Sequence, residues 1–315
     1  MIASVIVPAR DARHTLPRTL QALARQQTGA DYEVIVVDDG STDDTVELAR
    51  GAPGPVKVLK QGPAGPSAAR NAGVAEARGS ALAFCDADVF PVDGWLQAGL
   101  DALQEADLVQ GRVLPDPSVR LGPFDRTLWI GPDGGLWEAA NMFVSRELFD
   151  RVGGFPDGIH PRRGKPLAED VLFGYRALRV GARASFADAA LAHHAVFPRG
   201  AGEYVADRLR LAHFPAMARS APELRGRFLY RRMFLDGRTA RLDLALAAAA
   251  LVVPLRSRLP LLAALPYLVE VRARAGRSEA AGTAAWSVAA ADVAADLLGA
   301  AALAAGSVRH RSLVL

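Results

Sequence analysis

Cysteine is almost missing from this chain: among 315 residues there is one, Cys85. A single thiol excludes an intrachain disulfide and fits a reducing compartment. Cys85 sits inside an apolar run, which reads as a small buried side chain rather than a nucleophile. Net charge is also scarce. Thirty-seven Lys and Arg against 34 Asp and Glu leave +3, too little for the polycationic surface of a nucleic-acid binder. The apolar stretch Ile2–Val7 is too short for a secretory leader, and Pro8-Ala9-Arg10 follows it. Glycine is missing where phosphate-binding loops need it. The position after the first apolar run reads Pro8-Ala9-Arg10-Asp11. That disfavours a dinucleotide dehydrogenase and a nucleotidyltransferase with a glycine-rich loop. Gly164-Lys165-Pro166 lacks the hydroxyl residue and upstream glycine of a Walker-type loop.

What is present is a repeating alternation. Half of the residues are hydrophobic, enough for one large domain or two smaller ones. Ala3–Val7 reads as a buried strand stopped by Pro8, and Leu16, Leu20, Leu23 and Ala24 recur at helical spacing. Glu33–Val37 is a second strand. Ser41 or Thr42 then caps a helix over 43–50 with Asp43 and Asp44 in its first turn. Val56–Lys60 is a third strand, Ser67 caps a helix that Gly79 ends, and a fourth strand runs into Asp86. Such alternation predicts a parallel sheet covered on both faces, with ligands beyond the carboxyl ends of its strands. Pro8, Asp38, Asp39, Asp86 and Asp88 all fall at those ends.

The run Ser80–Val89 is the centre of this pattern. Two carboxylates one residue apart close an apolar segment, and an extended backbone would put Asp86 and Asp88 on one face. Carboxylate oxygens suit Mg²⁺ or Mn²⁺, which bridge to phosphates. A solvated turn is the competing reading. After Trp95 the regularity weakens: a helix over 95–103, a strand over 108–114, and an irregular Gly- and Pro-rich stretch over 115–138. A helix Arg146–Val152, a loop over 156–166 and a helix opened by Glu169-Asp170 follow. Acids at a helix start are also favoured by the helix dipole alone.

From Arg199 to Arg277 the chain becomes basic and alternates with apolar blocks. Leu244–Leu255 has about half of the ~20 residues a membrane span needs. Pro260 and Pro266 break the next block, and Asp292 and Asp296 interrupt the Ala-rich segment after it. Helices lying on an anionic membrane surface fit this composition, as does a soluble helical subdomain. The expected division is 1–200 for the α/β domain and 201–315 for the basic helical region.

The ordered segments Val36-Val37-Asp38-Asp39-Gly40-Ser41-Thr42-Asp43, Ser67-Ala68-Ala69-Arg70-Asn71-Ala72-Gly73, Asp86-Ala87-Asp88, Ala140-Asn141-Met142 with Gly153-Gly154-Phe155, and Glu169-Asp170 resemble the motifs of family 2 glycosyltransferases. The resemblance covers about residues 2–200. It implies a GT-A fold: α/β, Rossmann-like, a mostly parallel sheet covered by helices, here with an α-helical C-terminal region. It also implies a nucleoside-diphosphate sugar donor, an acceptor hydroxyl, a divalent metal (Mn²⁺ or Mg²⁺) and inversion at the anomeric carbon.

By that resemblance Pro8 and Arg10 line the base and ribose pocket, and Asp39 bonds the base with Asp38 supporting it. Arg70 lies near the donor phosphates or holds an aspartate in place. Asp86 and Asp88 meet ribose and metal, with Asp88 the more direct metal ligand. Asp170 is the general base beside Glu169. A strand over 183–187 precedes His193-His194, and His194 aligns better than His193 as a further metal ligand. A loop closing ahead of Asp170 would place it over the donor. Asp11 and Arg10 stand where the family usually has asparagine and an aromatic. The Gln-x-x-Arg-Trp signature of processive members is absent, which argues against polymer extension of that type. A catalytically silent membrane-bound scaffold is the non-enzymatic alternative; keeping Asp86, Asp88 and Asp170 together argues against it. The basic, apolar C-terminal half suggests a lipid-linked acceptor, the cytoplasmic face of the cell membrane, and a role at the cell envelope.

Overall fold

The computed structural model describes residues 2–132, 134–159, 167–277 and 283–315. Gly164-Lys165-Pro166 and most of the loop expected ahead of Glu169 lie outside them, as do residues 280–282 of the Ala-rich segment. The chain forms two compact units, one of residues 1–120 and 127–196, the other of 121–126 and 197–315.

The first unit is a sheet with helices on its faces. In chain order it runs β1 (Ile2–Ala9), α1 (Leu16–Ala24), β2 (Asp31–Asp39), α2 (Thr45–Arg50), β3 (Val56–Gln61), α3 (Pro66–Ala75) and β4 (Ala81–Cys85). It continues with β5 (Val89–Pro91), α4 (Trp95–Glu105), β6 (Leu108–Pro115), β7 (Asn141–Ser145), α5 (Arg146–Val152), α6 (Glu169–Arg179) and β8 (Ala184–His194). Strand order is β3-β2-β1-β4-β7-β6-β8-β5. The first four strands pair in parallel, as the alternation predicts. β4–β7, β6–β7 and β5–β8 are antiparallel, while β6–β8 is parallel. The sheet is therefore mixed. Val5, Val7, Val36, Ala83, Val109 and Phe143 contribute to its buried core.

Several local expectations change in the structure. β1 does not stop at Pro8 but runs on to Ala9. The registered pairing with β4 ends at Ile6, whereas Pro8 still faces Val37 of β2. Its missing N–H therefore falls where one flank has no ladder partner. α2 is capped by neither Ser41 nor Thr42. The Asp43 carboxylate accepts from Thr45 N at 3.0 Å, and Ser41 Oγ accepts from Asp11 N at 2.9 Å. α3 opens on Gly65 and Pro66 rather than on a Ser67 cap. It ends at Ala75, short of Gly79. Gly79 serves close approach instead: a Cβ there would lie 2.6 Å from Ser4 N. β8 spans 184–194, so His193 and His194 belong to the strand instead of following it. A register shift between Gly111 and Arg112 of β6 inserts residues 188–190 into β8 and carries the strand onward.

The second unit is helical: α7 (Ala201–Ala206), α8 (Phe214–Ser220), α9 (Leu224–Arg227), α10 (Gly237–Leu251), α11 (Leu265–Arg277) and α12 (Thr283–His310). Short 3₁₀ segments cover Asp207–His213 and Leu259–Ala264. α12 packs against α7, α8, α10 and α11, and Ala295 and Leu303 are fully buried. By length and composition alone residues 285–310 could cross a membrane. Within the unit, however, Asp292 and Asp296 of α12 are paired. Asp292 Oδ1 accepts from Tyr204 Oη at 2.8 Å and from Arg274 Nη2 at 3.2 Å. Asp296 Oδ2 accepts from Tyr267 Oη at 2.7 Å and from Arg238 Nε at 2.8 Å.

Candidate active site

The site is built around one buried arginine at the carboxyl side of the parallel strands. Arg70 lies on α3, which sits close to the sheet because residue 73 is glycine. A Cβ there would come within 2.6 Å of Ile6 Cγ2. Asn71 locks the same helix to the Gly153-Gly154-Phe155 turn. Its Nδ2 donates to Phe155 O at 2.8 Å and its Oδ1 accepts from Phe155 N at 2.9 Å. Arg70 then donates to Asp86 Oδ1 at 2.8 Å and to Glu169 Oε1 at 2.9 Å. Burial opposes its charge, but Asp86, Glu169 and Asp170 outweigh that and hold the guanidinium firmly protonated. Arg70 therefore bridges an acid of the β4–β5 turn and an acid of α6. Its Nε is buried without a hydrogen-bond partner among the described residues.

Asp86 and Asp88 do not share an extended strand. β4 ends at Cys85, and 86–88 form the turn into β5. The two carboxylates consequently have different partners, Asp86 facing Arg70 and Asp88 facing His194. The separation from Asp88 Oδ2 to His194 Nε2 is 3.5 Å. His194 Nδ1 lies 2.6 Å from Ala195 O. A carbonyl only accepts, so Nδ1 carries the proton, and neutral imidazole keeps its lone pair on Nε2. One carboxylate oxygen and one imidazole nitrogen at this spacing suit two positions on a cation such as Mn²⁺. Fixing of the ring through the other nitrogen is usual for a histidine ligand. Among the described residues no group of three metal-capable side chains gathers, so such an ion would need further ligands. Cys85 is fully buried, and burial together with Asp86 and Asp88 pushes its thiol pKa upward, which agrees with a packing role.

Asp170 opens α6 behind Ala168, which has φ +67. Its Oδ2 accepts from Ala139 N at 3.3 Å. Burial pushes its carboxyl up to about 7, and the neighbouring Glu169 and Glu138 charges add to that while Arg70 opposes it. Asp170 is thus a proton acceptor poised near neutrality.

At the other end of the site lie Pro8, Arg10, Asp38 and Asp39. Asp39 is buried, and its oxygens accept from Gln61 Nε2 (2.8 Å), Ala64 N (2.7 Å) and Gly65 N (3.0 Å), holding the β3–α3 loop. Arg10 Nη1 stands 3.9 Å away from Asp39 Oδ2. Asp38 accepts from Ser41 N at 3.2 Å and shapes the turn after β2. Pro8 and Asp38 occupy the ends of β1 and β2.

Two neighbours of Asp170 escaped the sequence reading. Glu138 is driven by burial to a carboxyl pKa of about 7, and its Oε2 has no partner among the described residues. Trp137 is buried with φ +57, and its Nε1 is likewise unpartnered. Its ring lies over Gly174 of α6, where a Cβ would be 2.3 Å from Trp137 Cγ. A bulky residue in the left-handed region stores strain, which is common beside functional groups. The sequence signal was weak: an isolated Trp-Glu inside an irregular stretch. Asn141 is a fully buried pin. It accepts from Trp95 Nε1 at 2.8 Å and donates to Arg112 O at 2.9 Å and Ala190 O at 2.8 Å.

Comparison with known proteins bears on the family and the fold. The model of glycosyl transferase family 2 matches residues 4–153. Glycosyltransferase AglE of Haloferax volcanii is 30% identical over 212 residues, 62% of this chain and 68% of that protein. The pre-mycofactocin glycosyltransferase of Mycobacterium tuberculosis is 30% identical over 217 residues, 61% of this chain but 42% of its own length. Among solved structures, the mannosyltransferase PcManGT of Pyrobaculum calidifontis, in complex with GDP-Man and Mn²⁺, superposes with a TM-score of 0.58. It is 21% identical, and the alignment covers 98% of this chain and 86% of that one. Staphylococcus aureus TarS 1–349 with UDP-GlcNAc gives 0.52 at 19% identity, covering 99% and 93%. At those identities the likeness concerns the GT-A fold. Motif order, sheet and sequence similarity agree, and the chain is a glycosyltransferase belonging to glycosyl transferase family 2.

Proposed function

We propose that this glycosyltransferase moves a sugar from a nucleoside diphosphate to an acceptor hydroxyl with inversion, Asp170 acting as the general base. The carrying observation is the half-buried Asp170 carboxylate, pushed up to about 7 beside the Arg70–Glu169–Asp86 array. A hydroxyl is a poor nucleophile until its proton is removed as it attacks. Asp170 takes that proton, the hydroxyl oxygen bonds to the anomeric carbon, and the bond to the diphosphate breaks. A single base and one direct displacement invert the centre. Glu138, whose charge helps raise the Asp170 carboxyl, would tune that base.

Asp88 and His194 would hold a divalent cation, Mn²⁺ or Mg²⁺, with Asp86 beside them on Arg70. When bound, the ion supplies positive charge for the leaving diphosphate. Pro8, Arg10, Asp38 and Asp39 would border the nucleoside. Similar folds bind GDP-Man with Mn²⁺ and UDP-GlcNAc, which supports a nucleotide-sugar donor here. The acceptor hydroxyl is carried on a lipid-linked or membrane-proximal molecule, at the cytoplasmic membrane face. The basic, apolar composition of residues 199–277 supports that placement.

A thermal-shift panel of UDP- and GDP-sugars with and without Mn²⁺ tests the donor, since a ligand of the native state raises apparent stability. Asp88→Ala should abolish the Mn²⁺-dependent part of the shift. A shift of unchanged size in that variant would remove Asp88 from the metal site.

A further inference from the structure

The helical unit carries an apolar surface that its own packing leaves uncovered. α10 and α11 pack against each other and against the 3₁₀ segment Leu259–Ala264, with Leu242, Ala248 and Tyr267 on the buried side. Their outward faces are apolar instead of charged. On α10, Leu244 and Leu251 are exposed at helical spacing. On α11, Leu265, Leu268 and Val269 share the outward face, with Val269 65% exposed. The link between the helices is barer still: Val253 is 81% and Leu259 73% exposed, beside Leu255 and Leu262. These nine side chains, each 47% exposed or more, follow one another along consecutive elements, unlike the single scattered apolar residues usual on a soluble surface.

Charge distribution says what covers this surface. Between residues 244 and 276 the only acid is Glu270, and it is paired with Arg241 at 2.6 Å. Arg256, Arg258 and Arg272 are exposed on the same segment and pair with no acid among the described residues. An apolar face with unpaired arginines fits a sheet of acyl chains under anionic headgroups. A protein partner would leave those arginines needing specific acids. α12 is a different case: its two acids are held by arginines and tyrosines of the same unit, so it serves as the core helix.

We propose that the knuckle formed by the end of α10, residues 252–264 and the first turns of α11 docks shallowly into an anionic lipid surface, without any helix crossing it. This deepens the membrane-side reading above and is independent of the transfer chemistry.

The test is co-sedimentation of the full-length chain with vesicles of phosphatidylcholine alone or with about 30% phosphatidylglycerol, without nucleotide or metal. Binding to the anionic vesicles should be roughly tenfold stronger and should weaken in high salt. The triple variant Val253→Asp, Leu259→Asp, Leu262→Asp should lose that binding about tenfold while its melting curve stays that of the parent, because the changed side chains are exposed. Should that variant not fold, Arg256→Gln with Arg258→Gln decides: it should lose the anionic preference. A parent that ignores anionic vesicles, or variants that bind as the parent does, would overturn the proposal. So would light scattering that shows self-association abolished by the triple variant with no vesicle binding. Asp170→Asn should bind vesicles like the parent, so failure of the transferase reading and failure of this one are separate results.

Discussion

Replacing Asp170 by asparagine should silence the enzyme and, above neutral pH, stabilise it. In the folded chain burial pushes the carboxyl up to about 7, against 3.8 for an ordinary aspartate. A raised folded value means the ionised form is disfavoured by folding. The penalty is absent below about pH 4, grows between 4 and 7, and is complete above 7. The distance from 3.8 to about 7 corresponds to an upper bound of roughly 4 kcal/mol. Partial solvent access at the residue lowers the expected gain to about 2 kcal/mol. Asparagine cannot ionise, so the variant escapes this cost. Urea unfolding in the presence of chelator at pH 4.5 and pH 8.5 measures it. Tryptophan emission reports the α/β unit, because Trp95, Trp129 and Trp137 belong to it and a Trp286→Phe background removes the fourth. The variant should exceed its parent by about 2 kcal/mol at pH 8.5 and by clearly less, about 1 kcal/mol, at pH 4.5, and hydrolyse or transfer no sugar. An equal stability difference at both pH values would refute the burial argument. Sugar transfer at the parental rate would refute the base.

Two further outcomes follow from the same electrostatics. In the parent, the rate should fall about tenfold for each pH unit below 7, as the base gains its proton. Glu138→Gln removes a neighbouring charge that is only partly present near pH 7, so this acidic limb should move to lower pH by less than about one unit, read from nucleotide release across pH 5 to 9. Arg70→Met strips the shared cation from Asp86 and Glu169, and should cost about 3–5 kcal/mol in the same unfolding measurement at pH 8.5. Arg70→Lys should not restore it, because one ammonium cannot reproduce two guanidinium contacts in different directions.

Much of the first half was legible in the residues. Apolar runs of strand length between helical repeats specify buried parallel strands, since nothing else covers both faces of such runs. The carboxyl-end position of Asp38, Asp39, Asp86 and Asp88 follows from the same periodicity. Capping was less legible, because Ser, Thr and Asp compete for the same backbone donors over a few residues. Here the N-cap position falls to Asp44 without a side-chain cap bond, while the Asp43 carboxylate accepts from Thr45 N. The antiparallel half was not legible either. Its strands are joined by the irregular stretch 115–138, and a three-residue insertion in β8 moves the histidines without any periodic signal.

From the sequence alone came the alternation, the order of the motifs, and hence the family with its carboxylate chemistry. Those depend on local spacing, which a chain carries in any conformation. Only the tertiary structure decided which charges meet: Arg70 between Asp86 and Glu169, Asp88 against His194, and Glu138 beside Asp170. It alone showed that the acids of α12 are internally neutralised while α10 and α11 turn leucines outward. Burial and pairing across a hundred residues are set by packing, and packing is what fixes how readily Asp170 takes a proton.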